Sequence, residues 1–246
     1  MKKFRLTIAI ILILPVLLSF CIVAFILYAL LSLFRLSNAA DSTVHGIYTA
    51  IIWWILAVLG ISLHVEGKAN IPPKGSRVVY MANHQSMIDV PVVFYAGMWS
   101  GVIAKKELWK IPFLHGCMVT LKCIPLDRSS PKEGIKSIPK GVEQIKKGIP
   151  MMIYPEGTRS KTGEIAEFKA GSFKLATKAK ALIVPVAIQN TRATFESSKG
   201  FGRVPVYVRI LPAIDTAEMD EEQLSDIHTV VENEIRSAYS ELPVYR

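Results

Sequence analysis

The stretch Ser76-Arg77-Val78-Val79-Tyr80-Met81-Ala82-Asn83-His84-Gln85-Ser86-Met87-Ile88-Asp89 decides the fold of this chain. Its first half, residues 76–82, carries the apolar and β-branched side chains that predict a strand. Pro91 indicates a helix that begins close to Asp89, because proline is tolerated in the first helical turn and not deeper. The stretch therefore predicts a strand, a polar turn and a helix in succession.

The rest of the chain repeats this alternation. Five further short apolar runs predict strands, and three longer amphipathic segments predict helices, the first of them interrupted by Pro139. The predicted strands are 101–104, 122–126, 151–154, 182–188 and 204–211, and the predicted helices are 132–147, 168–180 and 219–239. Strands that alternate with helices predict an α/β fold with a largely parallel sheet flanked by helices.

The N-terminal quarter of the chain has a different composition. Residues 6–34 contain no charged side chain, and residues 42–65 contain two histidines and no Lys, Arg, Asp or Glu. The first run is about twice too long for a secretory signal peptide and, as a helix, exceeds the roughly 30 Å core of a bilayer. We therefore predict a membrane-embedded helical pair in residues 1–65 and an α/β domain in residues 66–246. The pair could cross the bilayer as a hairpin or, if Pro15 kinks it, lie within one leaflet.

The charge distribution limits the possible partners. The chain has 29 Lys and Arg against 20 Asp and Glu, a net charge of +9. It has no clustered basic helix and no interleaved aromatic platform, so nucleic acid is not an expected partner, and anionic lipid explains the charge more simply. The three cysteines, Cys21, Cys117 and Cys123, provide neither a disulfide framework nor a zinc site. Basic residues 2, 3 and 5 favour a cytoplasmic N-terminus.

Two polar motifs follow predicted strands and suggest catalysis. In the first, His84 precedes Asp89 by five residues, so the carboxylate could orient one ring nitrogen and leave the other free to accept a proton. The alternative is that Asp89 or Ser86 only caps the helix and His84 is a turn residue. The second motif is Tyr154-Pro155-Glu156-Gly157-Thr158-Arg159-Ser160. Both motifs begin where a strand ends, which is where parallel sheets bind ligands.

Three cations follow three different predicted strands. Lys105, Arg128 and Arg159 each follow the end of a different apolar run, within five residues of it. The guanidinium group of arginine can bind phosphate through two parallel hydrogen bonds. Glu156 could instead pair with Arg159 as a structural ion pair, and Lys106 is expected to be a surface residue. The sequence therefore predicts one anion site built by Lys105, Arg128 and Arg159.

Four ordered segments carry a resemblance to a known family. They resemble, in order, the four motifs of the glycerolipid acyltransferases. The segments are residues 83–89, Cys123-Ile124-Pro125-Leu126-Asp127-Arg128, residues 154–160 and Ile183-Val184-Pro185-Val186-Ala187. The resemblance covers residues from about 65 to 190 and is closest to the bacterial 1-acylglycerol-3-phosphate (lysophosphatidic acid) acyltransferases. One departure is Lys122-Cys123, where the family often has glycine and a bulky apolar residue.

The resemblance implies an activity and a set of roles. A fatty acyl group would pass from a thioester to the sn-2 hydroxyl of lysophosphatidic acid, giving phosphatidic acid at the cytoplasmic face of the inner membrane. His84 would act as the base and Asp89 would orient it. Lys105, Arg128 and Arg159 would bind the phosphate, while Glu156, Gly157 and Thr158 would shape the acceptor site. The donor would be acyl-CoA or an acyl-carrier protein, and neither a metal nor a cofactor is implied.

Three alternatives remain open on the sequence. The acceptor could be glycerol 3-phosphate or another lysophospholipid. The chain could be a membrane-bound lipid hydrolase that uses Ser86 as a nucleophile, or an inactive scaffold that binds acidic headgroups. The donor, the preferred acyl chain length and the oligomeric state are also undetermined. A chain that lacks residues 1–60 is expected to fold, to be soluble and to work poorly on membrane-resident substrate.

Overall fold

The structure is a computed structural model that describes residues 2–127, 129, 134, 136–195 and 203–245. Two N-terminal helices, α1 (Lys2–Leu33) and α2 (Ser37–Val58), precede the sheet. The later elements are β1 (Ile61–Glu66), β2 (Val78–Ala82), α3 (Asp89–Tyr95), β3 (Gly101–Lys105), α4 (Pro112–Thr120), β4 (Ile124–Leu126), α5 (Ile138–Lys146), β5 (Met151–Ile153), α6 (Lys174–Ala179), β6 (Leu182–Gln189), α7 (Thr191–Phe195), β7 (Val204–Ile210), β8 (Ile214–Asp215) and α8 (Glu221–Glu241).

The strands form one mixed sheet in the order β1-β7-β6-β2-β5-β3-β4, with β8 paired to β6. Strands β6, β2, β5, β3 and β4 run parallel to one another, and β1 runs parallel to β7. Strands β7 and β8 are antiparallel to β6. The predicted α/β class with a largely parallel, helix-flanked sheet is confirmed.

The strands predicted from sequence are all present, with ends shifted by one or two residues. The sequence missed β1 and β8. Predicted helix 219–239 is α8, whose N-terminus has a capping box formed by Asp220 and Gln223. Predicted helix 168–180 is a 3₁₀ turn at Ala170–Phe173 followed by α6. Predicted helix 132–147 is present as α5 from Ile138 to Lys146, and residues 132, 133 and 135 lie outside the described residues.

Strand β2 lies at the centre of the core, and all five of its residues are buried. Because side chains alternate across a strand, the two faces of β2 belong to different layers. Tyr80 joins a cluster with residues of α2 and α3, whereas Val79 and Met81 join a cluster with residues of α6 and α8. Burial on both faces explains why β2 reads as a continuous apolar run.

The N-terminal helices differ in their surroundings. Within the described residues, one segment, Pro15–Leu33 of α1, is long and apolar enough to cross a membrane, and most of its side chains are exposed. The second apolar run forms α2, whose buried side chains pack into the same core cluster as strands β2 and β6, among them Ile51, Ile55 and Leu56. The apolar character of α2 thus reflects packing on the α/β layer, and a two-helix membrane motif is not confirmed.

The sheet begins before the predicted division at residues 65 and 66. Strand β1 crosses that division and pairs along its whole length with β7. The division into two domains stays a prediction. The expectation that a chain lacking residues 1–60 is soluble conflicts with the packing, because the deletion removes α2 and exposes the core cluster beneath it.

Candidate active site

The turn after β2 holds the imidazole of His84 against a buried carboxylate. Nδ1 of His84 lies 2.7 Å from Oδ2 of Asp89, and the Asp89 side chain is fully buried. The same oxygen accepts the backbone N–H groups of Gln85 at 2.7 Å and Ser86 at 2.8 Å. A carboxylate that accepts these bonds keeps the proton of His84 on Nδ1, so Nε2 has a free lone pair. The His84 side chain is 17% exposed and can therefore reach a substrate.

Asp89 orients His84 and shapes the turn before α3, but it does not cap the helix, whose N-cap residue Ile88 has no side-chain cap. Asp89 is the first residue of α3, and its bonds to two backbone N–H groups fix the turn that precedes the helix. Its third bond orients His84. A general base with an orienting acid requires this arrangement, and the catalytic roles of His84 and Asp89 stay a prediction.

The second motif, after β5, binds the backbone of His84. Oε1 of Glu156 accepts the backbone N–H of His84 at 2.6 Å, and Oε2 accepts that of Ala166 at 2.9 Å. The backbone N–H of Ser160 donates to the carbonyl of His84 at 2.8 Å. Both backbone polar groups of His84 are therefore fixed by the neighbouring loop. Burial raises the pKa of the Glu156 carboxyl group, in opposition to its two backbone hydrogen bonds.

Tyr154 supports the imidazole from one face, a contact that the sequence analysis missed. The two rings are stacked with centroids 4.1 Å apart and planes 20° apart. The phenol is buried, and burial together with the charge of Asp89 raises its pKa well above its usual value. The available signal was an aromatic residue that directly follows β5 and opens the second motif. Stacking and the Asp89 bond together fix the imidazole plane.

Two of the predicted phosphate ligands, Lys105 and Arg159, end or follow strands whose carboxyl ends lie at the edge of the sheet that carries His84. Lys105 ends β3 and is exposed, with Nζ 3.8 Å from Oε1 of Glu107. Thr158 and Arg159 are exposed in the loop after β5. Since β2, β3 and β5 are parallel, their carboxyl ends meet at this edge. Arg128 lies outside the described residues, and the anion site of Lys105, Arg128 and Arg159 stays a prediction.

Lys169 brings a cation next to Gly157 of the second motif, and the sequence did not indicate this contact. Gly157 has φ +73°, a conformation that L side chains rarely adopt. A Cβ at this position would lie 2.8 Å from Nζ of Lys169, so the ammonium group of Lys169 lies directly against the glycine. Twelve residues separate Lys169 from Gly157, and no motif connects them. Lys106, by contrast, pairs with Asp127 at 2.5 Å.

The departure from the family pattern at Lys122 has a structural explanation. Lys122 has φ +57°, the left-handed conformation that glycine adopts without cost. Its Nζ lies 2.6 Å from Oδ2 of Asp41 in α2. Lys122 therefore accepts a strained backbone and gains an ion pair that ties α2 to the loop before β4.

Ser86, the nucleophile of the alternative hydrolase, is fully buried. Its hydroxyl accepts the backbone N–H of Ile88 at 3.1 Å, which is a bond within the turn. A nucleophile must reach its substrate, so the burial of Ser86 argues against a Ser-His-Asp triad.

Comparisons with known proteins agree with this geometry. The family model described as Acyltransferase matches residues 62–189. The 1-acyl-sn-glycerol-3-phosphate acyltransferase of Borreliella burgdorferi is 31% identical over 73% of this chain and 72% of its own length. The chloroplast enzyme of the same name from Arabidopsis thaliana is 30% identical over 58% of this chain and 41% of its own length. The chain thus spans less than half of that relative.

A solved structure resembles the whole chain. The crystal structure of the 1-acyl-sn-glycerophosphate acyltransferase PlsC from Thermotoga maritima superposes with a TM-score of 0.77 and 26% identity. The match covers 98% of this chain and 97% of that one. The chain belongs to the acyltransferase family, and the resemblance stated from its four motifs is confirmed.

Proposed function

We propose that this protein transfers a fatty acyl group from a thioester to the sn-2 hydroxyl of 1-acylglycerol 3-phosphate and so forms phosphatidic acid. The observation that carries the proposal is the bond between Nδ1 of His84 and the buried Asp89 carboxylate at the carboxyl edge of the sheet. It leaves Nε2 as a base next to a loop that bears cations. The relatives described above are named as acyltransferases of 1-acylglycerol 3-phosphate, which supports the proposal.

The reaction needs one base and no protein nucleophile. Nε2 of His84 accepts the hydroxyl proton while the acceptor oxygen forms a bond to the thioester carbonyl carbon. The tetrahedral intermediate then expels the thiolate as the C–S bond breaks, and the imidazolium returns its proton to the sulfur. The charge of Asp89 stabilises the imidazolium between these steps. A thioester is already activated, which agrees with the burial of Ser86.

The acceptor phosphate binds to the cations at the same edge. Arg159 and Lys105 are exposed there and can supply charge-assisted hydrogen bonds, and Arg128 would complete the set. A phosphate held in this way places the neighbouring glycerol hydroxyl near His84. Positioning of this kind can supply up to about 7–11 kcal/mol of the barrier reduction. Glu156 contributes indirectly, since both of its oxygens are used to hold backbone groups.

The membrane supplies the acceptor and retains the product. The exposed apolar segment Pro15–Leu33 of α1 would hold the protein in the bilayer. The basic residues before it favour a cytoplasmic N-terminus. The α/β domain faces the same side of the inner membrane if α1 lies within one leaflet and does not cross. The donor is acyl-CoA or an acyl-carrier protein, both of which are acidic and complement the net charge of +9.

Turnover of defined substrates tests the proposal. The full-length protein in phospholipid vesicles is given lysophosphatidic acid with each donor, and phosphatidic acid is measured by mass spectrometry. We expect His84→Ala to lose about 10²–10⁴ in rate, while His115→Ala, which removes an exposed imidazole on α4, keeps wild-type turnover. Equal rates for wild type and His84→Ala would refute the role of His84 as the general base. A preference for monoacylglycerol over lysophosphatidic acid would refute the phosphate site.

A further inference from the structure

The C-terminal helix α8 reaches the catalytic turn through one side chain, the phenol of Tyr239. This helix lies downstream of the segment that matches the acyltransferase family, residues 62–189. Its buried face packs on the sheet through Ile227, Val231, Ile235 and Ala238. Tyr239 comes directly after Ala238, the last residue of this buried face, and its side chain is half-buried. The position of its hydroxyl is therefore fixed by the packing of α8 on the sheet.

The Tyr239 hydroxyl closes a triangle of hydrogen bonds with Gln85 and Gly163. It donates to the carbonyl of Gly163 at 2.7 Å and accepts a hydrogen bond from Nε2 of Gln85. Nε2 of Gln85 also donates to the Gly163 carbonyl at 3.1 Å. A carbonyl oxygen can only accept, which assigns the amide nitrogen of Gln85 to this side and directs the phenol proton to Gly163.

The triangle joins the two loops that hold His84. Gln85 follows His84 in the chain, and its backbone N–H donates to the Asp89 oxygen that orients the imidazole. On the other loop, the backbone N–H of Gly163 donates to Oγ of Ser160 at 2.9 Å. The backbone N–H of Ser160 in turn donates to the His84 carbonyl. Tyr239 therefore bonds to the residue next to His84 on one loop and, on the other loop, to a glycine that is linked to His84 through Ser160.

We infer that Tyr239 is a positioning residue for His84, an inference that rests on the proposed acyl transfer. Gln85 is 3% exposed, and its Oε1 has no hydrogen-bond partner among the described residues. The orientation of its side chain thus depends on the two bonds of Nε2. Removal of the phenol oxygen leaves one of them, and the Gln85 backbone that holds Asp89 becomes less constrained.

The kinetic test uses Tyr239→Phe, which removes one oxygen and keeps the ring. The loss of one net hydrogen bond predicts a fall in kcat of about 2- to 12-fold. The KM values for lysophosphatidic acid and for the donor should not change, because Tyr239 contacts neither. Tyr207→Phe is the matched control, since Tyr207 is a half-buried phenol on β7 that stacks on His64. Gln85→Met and the double variant complete a mutant cycle, in which the double variant should lose no more than Gln85→Met alone.

Hydrogen–deuterium exchange tests the same inference without substrate. The peptide that covers residues 83–89 should exchange faster in Tyr239→Phe than in wild type, and Tyr207→Phe should match wild type. Faster exchange together with a lower kcat supports the inference. Wild-type exchange in this peptide, or a Tyr239→Phe kcat equal to that of Tyr207→Phe, overturns it. A wild-type protein that fails to acylate lysophosphatidic acid would refute the proposed function instead, and the exchange result would still decide whether Tyr239 holds the turn.

Discussion

Asp89→Asn is the substitution that most directly tests how the site works. The wild-type carboxylate accepts three hydrogen bonds on Oδ2, from Nδ1 of His84 and from the backbone N–H groups of Gln85 and Ser86. An asparagine oxygen in the same place can accept all three, so the Nδ1–H tautomer of His84 is kept. What disappears is the negative charge that faces the imidazolium formed during the reaction.

The size of the effect follows from the geometry of this pair. Charge centres about 4 Å apart in a medium of effective dielectric constant about 20 attract by about 4 kcal/mol. A loss of that size in the transition state corresponds to roughly 10³ in kcat. The asparagine NH₂ group would also occupy the buried position of Oδ1, which has no partner among the described residues. An unsatisfied buried donor lowers the free energy of unfolding by about 1–3 kcal/mol.

Steady-state kinetics and thermal unfolding separate these two consequences. We expect kcat to fall by roughly 10²–10³ with little change in the KM for lysophosphatidic acid. Asp215→Asn serves as the control, because Asp215 is an exposed carboxylate in β8 that caps the backbone N–H of Ala217. If folded Asp89→Asn keeps kcat within about threefold of wild type, the charge of Asp89 has no catalytic role and the reasoning fails.

Three further substitutions probe the neighbouring loop. Arg159→Ala should raise the KM for lysophosphatidic acid by about 10- to 100-fold through the lost charge-assisted bonds, whereas Lys161→Ala, an exposed cation in the same loop, should not; a defect confined to kcat would contradict phosphate binding by Arg159. Glu156→Gln should lower the free energy of unfolding by about 1–3 kcal/mol in a urea titration. In wild type each carboxylate oxygen accepts one backbone N–H, and in the variant the glutamine NH₂ group replaces one of these oxygens and cannot accept. An unchanged urea midpoint would show that these bonds do not stabilise the turn. Gly157→Ala should cost about 1–2 kcal/mol because of its φ of +73°, while Gly46→Ala, which meets no atom within 4 Å in a helix interior, should be neutral or stabilising; equal melting temperatures for the two glycine variants would be the contrary result.

The strands and the catalytic pair were predictable because their signals are local. An apolar, β-branched run such as 78–82 predicts a strand wherever it packs, and Pro91 limits where α3 can begin. The order of the four motifs indicated the family. The role of α2 was not predictable, because an apolar helix that packs on a sheet and one that lies in a membrane have the same composition. Ile51 and Ile55 differ from membrane-facing residues only in what the folded chain places against them.

The sequence by itself determined the fold class, the acyltransferase family and the pairing of His84 with Asp89, since five residues of chain suffice to bring that imidazole and that carboxylate together. Only the tertiary structure decided what holds the pair in place. Tyr154, Glu156, Lys169 and Tyr239 are separated from His84 by between 70 and 155 residues, and no local pattern reports contacts over such distances. Tyr154 and Glu156 contact His84 because parallel strands β2 and β5 bring their carboxyl ends to one edge. Lys169 contacts Gly157, and Tyr239 contacts Gln85 because α8 packs on the sheet.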